Sequence, residues 1–368
     1  MQICICRVRV EYVKLEEICT IVSGGTPSRS KSDYWNNGNI PWIKIKDMKS
    51  KYIDSAEEFI TEEGLNNSST KMLKSDTILY SIFATLGEVG ILKIDACTNQ
   101  AIAGLSLKED SNILKEYLYY YLKSKKKDVN NLGRGVAQNN INLSLLRKFR
   151  IPVIPLHQQK KIIEVLDNVS STINNYEREL ALLDELVKAR FVEMFGEIED
   201  CDKWESKIWN EVVTIKNGRD YKKVLVSDGG YPVVGTGGEI ARASKYLCPE
   251  NTIVVGRKGS INNPMLMKEK FWNVDTAFGV IPNSDYLHYQ YFYCFCKFYN
   301  FMKLNKATTL PSTTKADLLK IRINIPPLEL QNQFASFVQE IDKSRSRIQK
   351  SLEASQELFD SLMQEYFG

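Results

Sequence analysis

Hydroxyl, amide and cationic side chains are concentrated in a few short stretches of this 368-residue chain, and together they could bind a polyanion. Arg and Lys neutralise phosphates, hydroxyl groups bond phosphate oxygens, and Asn or Gln can bind adenine through two hydrogen bonds. Any one of these residues could equally be a solvated turn residue, so the prediction concerns each stretch as a group. In the N-terminal half the candidates are Thr26, Ser28, Arg29, Lys31, Trp42, Lys44, Lys46, Arg134, Gln138, Asn139 and Asn140. In the C-terminal half they are Arg219, Tyr221, Lys222, Thr236, Arg257, Lys258, Ser260, Thr309, Ser312, Thr313 and Lys315.

Backbone elements must aim these side chains at one surface. Trp42, Lys44 and Lys46 alternate along a stretch that we expect to be a strand, and side chains two residues apart share one face of a strand. The stretch from Gly24 to Lys31 has the glycines and hydroxyls of a flexible loop. Tyrosine- and phenylalanine-rich runs near residues 120 and 295 are expected to form helices in the core, not platforms for stacked bases.

Charge alternates along the chain. The net charge is +4, with 26% charged and 43% apolar residues, which is ordinary for a globular protein. Residues 1–155 carry a net +5 and residues 201–322 a net +7, whereas residues 156–200 carry −5 and residues 323–368 carry −3. The basic segments suit DNA, and the acidic segments need a different partner.

The chain contains a tandem duplication. Shifting residues 146–196 by 172 positions onto residues 318–368 gives thirteen identities in 51 positions without a gap, where unrelated segments would match at about three. Both copies end on similar residues, "EMFG" at Gly196 and "EYFG" at Gly368. The basic segments resemble each other more faintly, as in "TIVSG" at 20–24 and "TIKNG" at 214–218. The duplication therefore predicts a repeated frame that carries two dissimilar globular heads.

Each repeat contains a proline-punctuated stretch followed by a long heptad pattern, which predicts a helix of about 40 residues and roughly 60 Å. Arg190 and Arg345 interrupt the apolar stripes and are expected to fix register or to extend toward solvent. The first stripe is Ile162, Leu166, Val169, Ile173, Tyr176, Leu180, Leu183, Val187, Arg190 and Met194. The second is Phe334, Val338, Ile341, Arg345, Ile348, Leu352, Ser355, Phe359, Leu362 and Tyr366.

The chain has no recognisable catalytic motif. It lacks the phosphate-binding G-x-x-x-x-G-K-[ST] loop and a G-x-G-x-x-G turn. His157 and His288 are the only histidines, and each is expected to be structural. The eight cysteines lack the spacing of a disulfide framework or a metal site, and no apolar run reaches the 18 residues of a membrane span. The N-terminus does not read as a signal peptide, so we expect reduced thiols and a cytoplasmic protein.

The order of three stretches carries a resemblance. "VKLEEICTIVSGGTP" is followed by "YWNNGNIPWIKIKDM" and then by "INLSLLRKFRIPVIPLHQQKKII", which leads into the long helix. The arrangement then occurs a second time. Along essentially its whole length the chain resembles the specificity subunit of a type I restriction-modification system. The second copy departs from the first, with "NGRDY" in place of "SGGTP" and "YPVVGTGG" in place of "IPWIKIKD".

The resemblance implies an α/β (α+β) architecture of two globular target-recognition domains separated by two long antiparallel coiled-coil helices. The internal repeat gives this arrangement a pseudo-two-fold axis, and Gly368 should return to the first head. The expected segments are the first domain at 1–155, the first helix at 156–200, the second domain at 201–327 and the second helix at 328–368.

The resemblance also implies a function. The chain would not be an enzyme itself, and would bind no cofactor. Each domain would read one half of a bipartite, asymmetric double-stranded DNA target, with the helices as spacer and as docking site for methyltransferase subunits, probably two. S-adenosylmethionine, ATP and Mg would be bound by the methyltransferase and restriction subunits. The first helix would dock its partner through an acidic face formed by Glu164, Asp167, Glu177 and Asp184.

Two other functions compete with this one. A self-sufficient DNA methyltransferase or nuclease would bind S-adenosylmethionine or cleave DNA alone, but the chain lacks the motifs. A coiled-coil scaffold without a DNA role would give heads without affinity for duplex DNA, which their net positive charge argues against.

Overall fold

The computed structural model describes residues 11–133, 141–198, 203–305 and 310–368. The chain divides into two compact units, each described here by itself. The first unit is Met1–Asn174 with Glu353–Gly368, and the second is Asn175–Leu352. Each unit therefore combines one globular head with part of both long helices.

Three sheets form the head of the first unit. A five-stranded sheet has the order β2-β9-β6-β7-β4, a three-stranded sheet the order β5-β3-β8, and β1 pairs with β10. The strands are β1 (Glu11–Lys14), β2 (Cys19–Ser23), β3 (Ile40–Ile43), β4 (Tyr52–Ile53), β5 (Glu58–Ile60), β6 (Ile78–Ser81), β7 (Val89–Leu92), β8 (Cys97–Thr98), β9 (Ile102–Leu107) and β10 (Arg150–Val153).

Helices cover this head and lead out of it. Tyr117–Leu122 on α3 are all buried in the main core, as the sequence predicts for this tyrosine-rich run. The helices are α1 (Leu15–Ile18), α2 (Glu62–Asn66), α3 (Lys115–Ser124), α4 (Lys126–Gly133), α5 (Leu143–Arg147) and α6 (Leu156–Phe195).

The second head repeats this plan with differences. Its sheets have the orders β12-β19-β16-β17, β13-β15-β14-β18 and β11-β20. The strands are β11 (Ser206–Ile208), β12 (Val213–Asn217), β13 (Leu225–Val226), β14 (Tyr231–Gly235), β15 (Gly238–Ala243), β16 (Thr252–Gly256), β17 (Met265–Met267), β18 (Trp272–Asn273), β19 (Ala277–Pro282) and β20 (Arg322–Asn324). The helices are α7 (Trp209–Val212), α8 (Tyr289–Phe298), α9 (Lys315–Leu318) and α10 (Leu328–Phe367).

Strand register confirms the faint repeat of the heads. Leu79 pairs with Gly104 in the first head, and Val254 pairs with Gly279 in the second. Likewise β3 runs parallel to β8 and β14 runs parallel to β18. The main difference between the heads is the connection that follows β3 in the first head and β14 in the second. A two-residue turn joins β14 directly to its partner β15, whereas residues 44–57 intervene between β3 and its partner β5.

The heptad pattern correctly predicts the packed face of both long helices. Each helix has 40 residues, and none of the stripe positions is fully exposed. In the second unit, Arg345 donates to Asp184 at 3.0 Å, and the rings of Phe195 and Phe334 lie 5.3 Å apart. Residue numbers thus rise along α6 as they fall along α10, so the helices are antiparallel there.

The first unit shows the same direction. The Tyr117 hydroxyl donates to the carbonyl of Pro152, just before α6, and its ring lies 5.4 Å from Phe367. Tyr120 donates to Asp167 and lies 6.3 Å from Phe359. Moving along α6 therefore again means moving backwards along α10, and the end of the chain packs on the first head as expected.

Both long helices end at the repeated glycine. Gly196 has φ of +88°, the left-handed conformation that glycine favours at a helix end. The last carbonyls are capped within each unit, because Trp204 Nε1 donates to Phe195 O at 3.1 Å and Lys125 Nζ donates to Phe367 O at 2.7 Å. The repeated "FG" endings are therefore helix termini whose last carbonyl groups accept hydrogen bonds from side chains outside the helix.

Candidate nucleic-acid interface

The candidate loop of each head begins with a glycine, because another backbone segment of the same head passes too close to leave room for a side chain. A Cβ on Gly24 would lie 2.1 Å from Asn99 O, and one on Gly218 would lie 1.8 Å from Val274 O. These two glycines occupy equivalent places, at the end of "TIVSG" and of "TIKNG". The same backbone crossing thus fixes where both loops start.

An indole fixes the next residue of each loop. Trp42 Nε1 donates to Gly25 O and Trp272 Nε1 donates to Arg219 O, both at 3.0 Å. The two carbonyls are equivalent, since each belongs to the residue after the glycine. The tryptophans are not, because Trp42 lies on β3 and Trp272 on β18, which pairs with the counterpart of β3. The equivalent loop carbonyl of each head is therefore bound by an indole, but the two indoles come from different strands.

Arg29 is held in a defined orientation in the first loop. Its guanidinium carbon lies 3.6 Å from the ring centre of Trp35 and 4.9 Å from that of Trp42. Its Nη2 lies 2.5 Å from a carboxylate oxygen of Glu58, which also binds Lys44. Burial alone would raise the pKa of Glu58, but the hydrogen bonds from Lys44 and Arg29 outweigh it and hold that pKa below its ordinary value. Glu58 is therefore a carboxylate anchor for two predicted DNA-binding cations.

The other predicted DNA-binding side chains of the first loop lie on its surface. Thr26, Ser28 and Lys31 are exposed. Thr26 donates to Gln100, and Lys31 Nζ donates to the Tyr34 hydroxyl at 2.8 Å. The loop thus presents hydroxyls and cations from a folded framework.

The predicted alternation after Trp42 is wrong. Strand β3 ends at Ile43, and Ile45–Asp47 form a turn of 3₁₀ helix for which the backbone N–H of Lys44 donates to the Asp47 carboxylate at 2.7 Å. This capping interaction competes with strand extension. Trp42 is 2% exposed, so it supports the loop from below, while Lys46 is exposed.

Two predicted stretches of the second head come together. Thr313 is buried and its hydroxyl donates to Gly256 O at 2.9 Å, while its N–H donates to Arg257 O at 3.0 Å. A single β-bridge joins Lys258 to Ser312. Thr313 therefore binds the segment around residues 312–313 to the backbone that carries the exposed side chains of Arg257 and Lys258.

The remaining candidates of the second head differ in exposure. Arg219 and Lys222 are exposed, whereas Tyr221 is half-buried and packs in a small core. Thr236 is half-buried in the turn between β14 and β15. Ser260 is exposed beside Arg257. Lys315 is also exposed, but its ammonium group donates to Ile215 O at 2.8 Å, so it fixes backbone as well as carrying charge. Arg134, Gln138, Asn139, Asn140 and Thr309 lie outside the described residues.

Sequence reasoning missed three residues of the first loop's surroundings. Trp35 stacks under Arg29, Glu58 pairs with it, and Gln100 accepts a bond from Thr26. Trp35 directly precedes a polar, glycine-containing stretch, which could have placed it near the surface. No local pattern marks Glu58 or Gln100, because their partners lie 29 and 74 positions away in the chain.

The predicted acidic docking face of the first helix is wrong in part. Asp167 binds Lys51 and Tyr120 of the first head. Asp184 accepts from Lys297 at 2.9 Å and from Arg345 at 3.0 Å in the second unit. Both carboxylates tie the helix to their own unit, so only the exposed Glu164 and Glu177 keep the predicted role.

Arg190 and Arg345 are half-buried and bind carboxylates. Arg190 donates to Glu193 at 2.7 Å and lies 5.9 Å from the ring of Phe337. Arg345 reaches Asp184 on the other long helix. The Arg345 ion pair joins the two long helices and agrees with the predicted role in register, whereas the Arg190 ion pair lies within α6.

None of the helices in the described ranges has the length and apolar character to cross a membrane. In those same ranges, no three His, Cys, Asp or Glu side chains are grouped so that they could hold a metal ion.

Comparison with known proteins places this geometry in a family. The model of the type I restriction modification DNA specificity domain matches residues 7–184 and matches residues 201–356 as well. The EcoR124I/EcoR124II specificity subunit of Escherichia coli is 35% identical over 172 residues, which are 45% of this chain and 42% of that relative. This match thus spans less than half of the relative's length. The MjaIX specificity subunit of Methanocaldococcus jannaschii is 24% identical over 398 residues, covering 95% of this chain and 90% of the relative.

A solved structure has the same fold. The S subunit of a type I restriction-modification system from M. genitalium superposes with a TM-score of 0.59 at 16% identity, covering 100% of this chain and 98% of that one. The domain matches together cover more than half of the chain, once over each head. The chain therefore belongs to the family of type I restriction-modification specificity subunits and is a non-catalytic DNA-specificity component with two target-recognition domains.

Proposed function

We propose that each head reads one half of a bipartite, asymmetric double-stranded DNA target. One observation carries this proposal: the two heads hold an equivalent loop carbonyl at 3.0 Å from an indole, yet present different side chains beyond it. After Gly25 the first head continues with "TPSR", and after Arg219 the second continues with "DYKK". A shared support with different side chains is what two readers of unlike half-sites need.

The proposed DNA contacts divide by exposure. The exposed and half-buried cations and hydroxyls are the proposed direct contacts, while the buried Trp42 and Thr313 act by holding loops in place. Phosphate contacts would fix the register of each head, and base contacts would specify the sequence. The proposed direct contacts are Thr26, Ser28, Arg29, Lys31, Lys44, Lys46, Arg219, Tyr221, Lys222, Thr236, Arg257, Lys258, Ser260, Ser312 and Lys315, with Arg134, Gln138, Asn139, Asn140 and Thr309 added from the sequence alone.

The long helices are the proposed docking site for two methyltransferase subunits. Some repeated residues are buried in both copies and serve the core, for example Gln159 and Gln331 at 0% exposure. Others are exposed in both copies, and the core does not require them. Leu186 and Leu358 are equivalent and are 46% and 51% exposed. The exposed repeated residues near the C-terminal ends of α6 and α10 are Glu185, Leu186 and Glu193, and Glu357, Leu358 and Glu365.

Identity at exposed positions suggests that both copies bind the same surface of one kind of protein. Leu186 and Leu358 would provide the apolar centre of each interface, and the flanking glutamates would provide a charged rim. Two equivalent surfaces would accept two copies of the methyltransferase subunit. Those subunits would supply S-adenosylmethionine binding, and restriction subunits would supply ATP- and Mg-dependent steps, in the cytoplasm. The segments 156–200 and 328–368, which contain α6 and α10, would also act as spacer between the domains at 1–155 and 201–327.

Methylation mapping tests the proposed function. The chain is expressed with its cognate methyltransferase subunit in a host that lacks both, and methylated adenines are located across the genome. We expect one motif made of two unlike specific parts separated by unspecified bases. A continuous motif, a palindromic motif, or methylation that is independent of this chain would contradict the proposal.

A further inference from the structure

The turn between β14 and β15 contains a glycine that the chain itself does not need. Glycine is required where φ is positive or where a Cβ would collide with a neighbour. Gly237 has neither feature, since its φ lies outside the left-handed region and a Cβ would have nothing within 4 Å. Among the exposed glycines that the structure describes, Gly237 alone lacks both requirements.

Three other glycines of the same head each have one of these two requirements. Gly238 has φ of +111°, as expected where a turn leads into a strand, and Gly229 has φ of +67° in the turn before β14. Gly218 is crossed by the backbone at Val274. A close approach by something outside the chain is the remaining physical reason to leave out a side chain at Gly237.

The turn is the tip of the β14–β15 ribbon, which lies in the middle of a four-stranded sheet. The end of this ribbon is two-stranded, because β18 pairs only with Val233 and Val234 and β13 only with Arg242 and Ala243. Tyr231–Gly235 and Gly238–Ala243 pair antiparallel, and Gly237 is exposed at the end. The major groove of B-DNA is about 12 Å wide and admits such a ribbon. Nearby, Ile240 is 55% exposed, and apolar side chains contact the thymine methyl group in that groove. The first head has residues 44–57 where this ribbon turns, so the element belongs to the second head.

We propose that the β14–β15 ribbon enters the major groove of the second half-site and that Gly237 lets its backbone approach the DNA closely. The proposal rests on the proposed function, because it assigns a reading element to the second head. Ile240 lies at the edge of the ribbon and contacts an apolar base edge. The chemical class of the ligand is duplex DNA.

Gly237→Ala tests the proposal in the complex with the cognate methyltransferase subunit. Because the added methyl group meets nothing in the chain, the melting temperature should stay equal or rise. Methylation of the wild-type target, and affinity for a duplex that contains it, should fall at least tenfold. Gly229→Ala is the matched control at the other end of β14. Its positive φ disfavours alanine, so its melting temperature should fall while its target affinity at low temperature stays as in the wild type.

Each other outcome has a defined meaning. Unchanged methylation by Gly237→Ala would overturn the inference. Parallel losses of stability and methylation would give Gly237 a folding role and would overturn it as well. Loss of the methyltransferase subunit from the purified complex would show that the ribbon docks protein, not DNA. If the wild-type complex itself methylates no bipartite target, the proposed function fails, which is a separate result.

Discussion

Gln159 and Gln331 make the same three hydrogen bonds in the two units. Gln159 accepts the N–H of Leu114 at 2.8 Å and donates to Asn112 O and Ile154 O, both at 2.8 Å. Gln331 accepts the N–H of His288 at 2.7 Å, and donates to Tyr286 O and Pro326 O at 2.8 Å. Leu114 and His288 are the N-cap residues of α3 and α8. Each buried amide therefore links the start of a long helix to the start of a head helix, α6 to α3 in the first unit and α10 to α8 in the second.

Replacing this amide should destabilise the chain strongly. Gln159→Leu leaves three backbone groups without their partner, and each buried unsatisfied group costs about 1–3 kcal/mol. We expect a loss of about 3 kcal/mol or more, measured by denaturant unfolding. Gln339→Leu, at an exposed position of α10, is the control and should change stability by less than about 0.5 kcal/mol. Equal effects of the two substitutions would mean that the amide bonds do not hold the helix to the head.

The indole of Trp272 should matter for DNA binding as well as for folding. Trp272→Phe removes the N–H that holds Arg219 O and should cost about 1–3 kcal/mol of stability. Because the loop then loses its fixed position, target affinity should fall at least tenfold. Trp204→Phe removes a similar bond, to Phe195 O, at the end of α6. It should lower stability to a similar degree and leave target affinity intact. If both variants bind the target equally, the hydrogen bond from Trp272 to Arg219 O does not position a DNA-reading loop.

Asp184 should contribute stability only above acidic pH. Burial alone would raise its pKa, but hydrogen bonds from Lys297 and Arg345 outweigh that effect and lower it. A lowered pKa means that the contribution is present above the unfolded-state pKa of about 3.9 and is lost as the pH falls through the folded-state value. The melting temperature of Asp184→Asn should therefore lie below that of the wild type at pH 7. The gap should narrow as the pH falls below about 4. A gap that is as large at pH 3 as at pH 7 would show that the ion pairs are not its cause.

The exposed repeated leucines should determine how many methyltransferase subunits bind. Leu186→Asp or Leu358→Asp alone should leave one subunit bound, and the double variant none, as measured by mass photometry of the purified complex. Leu145→Asp is the control, because Leu145 is 41% exposed and its counterpart in the second copy is already Asp317. Two bound subunits in the double variant would place the docking surface elsewhere.

Local patterns were sufficient to predict the frame of the molecule. The heptad stripes correctly predicted which faces of α6 and α10 are packed, since a helix periodicity depends only on nearby residues. Prolines correctly predicted where each helix begins, since α6 follows Pro155 directly and α10 follows Pro327.

Contacts between distant residues were not predictable in the same way. The sequence gives no sign that Asp167 meets Lys51, or that Asp184 meets Arg345, so the acidic face was assigned to a partner. The strand expected through Lys44 fails because a local capping bond to Asp47 ends it. Each of these pairings depends on the tertiary fold or on a competing hydrogen bond, which residue patterning does not contain.

The central claim is that the two heads read separate half-sites, and exchange of one head tests it most directly. Residues 11–150 are replaced by the corresponding region of a relative with a different target, and adenine methylation is mapped across the genome with the cognate methyltransferase subunit present. The account predicts a motif in which one half-site changes to that of the relative while the other half-site remains. Changes in both half-sites, or in neither, would contradict it.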